Sequence, residues 1–80
     1  MTGGSVQSKF GKAVREARTQ LGYSQESLAA ELGMHRTQIG HIEQGLKDCR
    51  LSTIVRISSV LGMSVSQLLY QVDSKEKKKA

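Results

Sequence analysis

Eighty residues carrying a net charge of +5, with one cysteine and no proline, make one small domain. A chain of this length buries only about 60–65% of its unfolded surface, so pairing with a second copy is a ready source of extra stability. Cys49 alone excludes a disulfide framework and fits a reducing, cytoplasmic setting, while no apolar run approaches a membrane span and no secretory signal is visible.

Residues 1–6 read as a flexible leader. From residue 7 to 21 the apolar positions Phe10, Val14, Ala17 and Leu21 recur every three or four residues, with Ala13 beside them. That period predicts a first helix with one buried stripe, capped by Ser5 or Ser8 and ended by Gly22. Lys9, Lys12, Arg15, Glu16 and Arg18 fall on the rest of its surface.

Ser24 then caps a second helix with Leu28, Ala29 and Leu32 on its inner side. Tyr23 before the cap and Leu28 after it form a hydrophobic staple, although Ser27 stands where a capping box prefers Glu or Gln. Gln25 lies in the first turn, where its amide and the helix N-terminus both suit a phosphate oxygen. Gly33 stops this helix, and a third begins near His35 with Ile39 and Ile42 on its buried side. Thr37, His41 and Gln44 point nearly the opposite way, with Arg36 on one flank and Gly40 leaving a gap on the outer face. Glu43 falls close to the buried side, an odd place for a carboxylate without a partner. Two short helices joined by a glycine turn make a helix-turn-helix pattern, whose second helix can enter the DNA major groove.

Gly45 closes the third helix, and LKDCR forms a loop. Leu51, Ile54, Ile57 and Leu61 trace a fourth helix with Ser58 at the edge of the stripe, ended by Gly62. Ser64 caps a fifth, VSQLLY, with Val65, Leu68 and Leu69 apolar. Residues 7–72 are thus expected to form one all-α domain of five short helices, and residues 73–80 a disordered basic tail.

With these residues placed, the chain resembles the Xre or Cro/CI-type helix-turn-helix family of phage repressors and restriction–modification controller proteins. LGYSQESLAAELGMHRTQIGHIEQG carries the likeness, together with the spacing to LSTIVRISSVLGMSVSQLL. The resemblance implies a compact five-helix, lambda-repressor-like domain that binds a partly palindromic operator as a homodimer. It implies that His35, Arg36, Thr37 and His41 face bases, that Gln25 contacts phosphate and that Arg18 pairs with Glu43. Gln38, Gln44 and Lys47 join Gln25 as expected phosphate contacts. Met63, Val65, Leu69, Tyr70 and Val72 supply more apolar groups than one small core needs and are expected at the dimer interface. His35 departs from the family's usual Ser, Thr or Asp cap, which implies a less secure first turn in the third helix.

Double-stranded DNA is therefore the expected partner. A protein partner enters only if the chain is an antitoxin that holds a toxin and binds DNA secondarily. Single-stranded RNA is disfavoured by the lack of an aromatic stacking surface. Catalysis is disfavoured because Cys49 and two histidines six positions apart offer neither a nucleophile–base set nor metal-ligand spacing, so no cofactor or metal is expected.

Overall fold

The computed structural model describes residues 5–76, and these fold into five helices: α1 (Val6–Gln20), α2 (Gln25–Leu32), α3 (Arg36–Glu43), α4 (Leu51–Val60) and α5 (Val65–Glu76). No strand occurs among the described residues. Most of the leader and the last four residues of the expected tail lie outside them. α5 runs on to Glu76, well into the stretch read as tail.

Serines start three of the helices. Ser5 Oγ accepts the Ser8 N–H at 3.0 Å to open α1. At α2 the capping box is complete despite the short side chain: Ser24 Oγ accepts the Ser27 N–H at 2.9 Å, and Ser27 Oγ accepts the Ser24 N–H at 2.8 Å. A serine hydroxyl at the third position thus does what a Glu or Gln side-chain oxygen usually does. Ser64 and Gln67 make the same reciprocal pair at α5.

The helix ends are alike as well. α1 to α4 each close with two backbone bonds: at α2, for example, Gly33 N donates to Ala30 O at 3.2 Å and Met34 N to Ala29 O at 2.9 Å. This double closure needs a left-handed residue after the last helical turn, and glycine takes it without a Cβ penalty. Gly33 accordingly sits at φ 69°. The chain can then reverse within three residues and begin α3.

α1 packs on α3 and α5, α2 on α3 and α4, and α4 on α5. The shared core holds Phe10 and Val14 from α1, Leu28 and Leu32 from α2, Ile39 and Ile42 from α3, Ile57 from α4 and Leu68 from α5. Leu21 and Leu51, read as the ends of apolar stripes, are exposed instead. Each sits at a helix boundary, where the chain direction changes and the periodicity stops pointing inward. Arg18, placed on the α1 surface by the same periodicity, is buried.

Gly11 determines how closely α1 lies on α3. It is buried, and a Cβ built there would stand 2.6 Å from Glu43 O and closer still to Ile42 O. Those atoms are backbone, so neither can swing away. Ordinary Gly→Ala changes inside a helix gain about 0.5–1 kcal/mol. Gly11→Ala is expected to do the reverse, lowering unfolding free energy in urea by about 1–3 kcal/mol as an overpacked contact does.

Candidate nucleic-acid interface

The interface is built outward from Ile39 and Ile42, both buried, which pin the inner side of α3 to the core. With that side fixed, a helical repeat of 100° per residue carries Thr37 and His41 to the outside, and both are exposed. His35 and Arg36 are exposed at the start of the helix, and Gln44 at its end. Arg36 stands on the flank facing α2, beside a shallow hollow lined by Glu26, Ala29 and Ala30. Lys47 is exposed in the loop that follows α3. One polar edge therefore combines a guanidinium, a hydroxyl, two imidazoles and an amide, with an ammonium just beyond.

Behind this edge lies a buried ionic cluster. Arg18 Nε donates to Glu43 Oε2 at 2.6 Å, and Arg18 Nη2 donates to Glu43 Oε1 at 3.0 Å, a two-pronged fork. The third nitrogen, Nη1, donates to the backbone carbonyl of Tyr23 at 2.9 Å. Gln25 Nε2 adds a fourth bond, to Glu43 Oε1 at 3.0 Å. The two charged side chains are only 11% and 4% exposed. One carboxylate at the end of α3 is thereby tied to α1, to the α1–α2 connection and to the first turn of α2.

Two glutamines expected at phosphates are partly committed elsewhere. The Gln25 amide nitrogen faces Glu43, leaving its oxygen end to other contacts. Gln38 Oε1 accepts the His35 N–H at 3.0 Å, closing the first turn of α3 from inside the helix. That bond offsets the missing Ser, Thr or Asp cap, so the first turn is better secured than its leading residue implies. Gly40 also differs from its reading as a gap on the outer face. It is half-buried, and a Cβ there would meet the Gln25 side chain at 3.8 Å, which places it at the contact between α2 and α3.

The apolar residues expected at a dimer surface divide. Val72 is taken up by the chain's own core, and Met63 and Leu69 pack against that core. Val65 is half-buried, whereas Tyr70 is 67% exposed. Leu51 and Val55, on α4, are 70% and 47% exposed, although the apolar period assigns Leu51 to the core. Their exposure has no sequence signal, because both lie on or beside the stripe that the period assigns to the core. Among the described residues no cluster of His, Cys, Asp and Glu could hold a metal ion, and no helix is long and apolar enough to cross a membrane.

Two short helices packed together across a glycine turn, the second offering a polar edge backed by the core, define a DNA-binding helix-turn-helix domain. Residues 14–68 match the family model described as helix-turn-helix. Control protein C.BamHI of Bacillus amyloliquefaciens is 39% identical over 66 residues, which span 81% of this chain and 82% of that one. Control protein C.MunI of a Mycoplasma species is 34% identical over 71 residues, 85% of this chain and 93% of that one. The crystal structure of the restriction-modification controller protein C.AhdI from Aeromonas hydrophila superposes with a TM-score of 0.74 at 35% identity, covering 78% of this chain and 94% of that one. The chain belongs to the helix-turn-helix family of the Xre type and is a DNA-binding transcriptional regulator.

Removing one member of a buried ion pair leaves the other charge without a partner, at a cost of about 3–5 kcal/mol. Arg18→Ala is expected to lose that much in urea denaturation. An Arg18→Met, Glu43→Leu double variant should recover most of it, because no bare charge remains in the interior.

Proposed function

We propose that this chain binds double-stranded DNA sequence-specifically as a homodimer on a partly palindromic operator, with α3 in the major groove. The observation that carries the reading is the exposed edge Arg36, Thr37 and His41 on a helix whose opposite side is buried. In this role Arg36 donates two hydrogen bonds to O6 and N7 of a guanine, the pairing its planar fork suits best. Thr37 and His41 lie along the same edge and read neighbouring base pairs. His35 adds a contact at the mouth of the groove.

Lys47, Gln44 and the free ends of Gln25 and Gln38 hold the phosphates on either side and set the register without reading sequence. Arg18 and Glu43 contact no DNA in this role. They keep α3 at a constant angle to the two helices behind it. Tyr70, Leu51 and Val55 support the homodimer by leaving large apolar side chains in water on α4 and α5. A two-fold pair of recognition helices should meet half-sites roughly 34–36 Å apart, about one turn of DNA. The relatives named as control proteins support a regulatory role of the same kind.

Selection of bound duplexes from a random pool at stated salt tests the reading as a whole. A symmetric consensus with half-sites one turn apart is the expected result, and recovery of unrelated sequences would reject it. On the selected duplex, Arg36→Ala should lose about 1–3 kcal/mol and relax preference at one base pair, whereas equal weakening on every sequence would mark a phosphate contact. Sedimentation at tens of micromolar should show a dimer that Tyr70→Asp weakens, and a monomer throughout would count against the paired form. Stable co-purification of a small neighbouring protein would favour the antitoxin alternative.

A further inference from the structure

α2 ends in an electrostatically unfavourable way by its own sequence. Its last turn carries Glu31 and no basic residue, although the exposed carbonyls of a helix C-terminus favour a cation. The Ala29 and Ala30 carbonyls receive the N–H groups of Met34 and Gly33. The Leu32 carbonyl, at the lip of the turn, receives a guanidinium from another helix: Arg56 Nη2 of α4 donates to it. The same nitrogen is the nearest atom to the position a Cβ would take on Gly33, at 3.9 Å. Arg56 thus lies across the connection between the two helices of the motif.

We infer that Arg56 is a positioning residue for base reading, acting through the α2–α3 turn. Its cation satisfies an end-of-helix carbonyl, opposes the charge of that helix end and links the turn to α4, which belongs to the main core through Ile57. The angle at which α3 leaves the turn is then held at both ends of the helix. The Arg18–Glu43 fork fixes its C-terminus, and Arg56 fixes the end of α2, at the start of the turn that leads into α3. Arg56 shares a polar cleft of about 320 Å³ with Lys47, Arg50 and one acid, Asp48, so three cations and a carboxylate line it beside the proposed DNA surface. Of these, Arg56 is the one whose guanidinium is drawn inward to a carbonyl. Lys47 and Arg50 are left to meet phosphate.

The role rests on the DNA-reading proposal, and two measurements on the full chain separate their failures. In the free protein, Arg56→Met should speed hydrogen exchange of the Gly33 and Met34 amides about tenfold, with the Gly22 and Tyr23 amides at the α1–α2 junction unchanged. Arg56→Lys, which keeps a cationic donor, should restore part of the protection. On a duplex selected by the wild-type protein, Arg56→Met should weaken binding about tenfold while leaving binding to poly(dI-dC) and the salt slope unaltered.

A salt slope reduced by about one, with both DNAs weakened alike, would make Arg56 a phosphate contact and overturn the inference. Turn amides that exchange at the wild-type rate would overturn it equally, whatever the DNA result. A wild-type protein that selects no duplex would reject the DNA reading and this role with it.

Discussion

The buried fork between Arg18 and Glu43 is the constraint on which the rest of the structure depends. A carboxylate this deep is costly unless its charge and lone pairs are both met. Here three donor nitrogens from two side chains converge on its two oxygens, and the arginine's remaining nitrogen is spent on the Tyr23 carbonyl. The cluster draws on α1, on the α1–α2 connection, on α2 and on α3 at once. It can be satisfied in one mutual arrangement of those elements, because a shift of any one strands a charge in the interior. An apolar pair would bury as well but would tolerate sliding. The ionic pair therefore adds geometric definition to the placement of α3.

Gly11 makes that arrangement reachable. Without a side chain at this position, α1 approaches the carbonyl end of α3 closely enough for Arg18, two turns further along, to meet Glu43. The two residues act as a pair of conditions on one interface, the first permitting the approach and the second fixing its register. Arg56 supplies a third condition from the opposite side of the motif. These three sit in α1 and α4, outside the helix-turn-helix itself, so the flanking helices set how the eight-residue α3 is presented.

Local signals account for what the sequence made legible. Each of the first four helices ends before a glycine because the closing backbone bonds demand a left-handed residue, and that demand is visible in composition alone. The inner side of α3 followed from Ile39 and Ile42, so its outer edge followed too. The misplacements share a different cause. Leu21 and Leu51 fit the apolar period but sit where the helices stop, and Gly40 faces α2 because of a packing direction that no window of sequence contains. Ser27 closes α2 although residue type favours Glu or Gln there, and Gln38 closes α3 although His35 is no usual cap, because the closing bond needs only an acceptor at the right distance. Arg56 left no trace in its own helix. Its signal lay in α2, as a helix end with an acid and no base, and became interpretable once the fold brought α4 alongside.

The same geometry bears on how many copies must act together. An eight-residue helix offers three side chains along its outer edge, and a good base contact discriminates by about 1–3 kcal/mol. Specific sites are separated from random DNA by about 4–10 kcal/mol, so one such helix with average contacts reaches only the lower part of that range. Enlarging the edge would need a longer helix, and α3 is closed at its C-terminus by Gly45, at φ 77°, with Gly45 N donating to Ile42 O and Leu46 N to His41 O. Doubling the edge by symmetry avoids that limit. In the proposed homodimer a second copy would add an identical set of contacts at a distance set by the protein and would leave each internal clamp undisturbed. Tyr70, Leu51 and Val55 lie on helices other than α3, so pairing through them would leave the reading edge free.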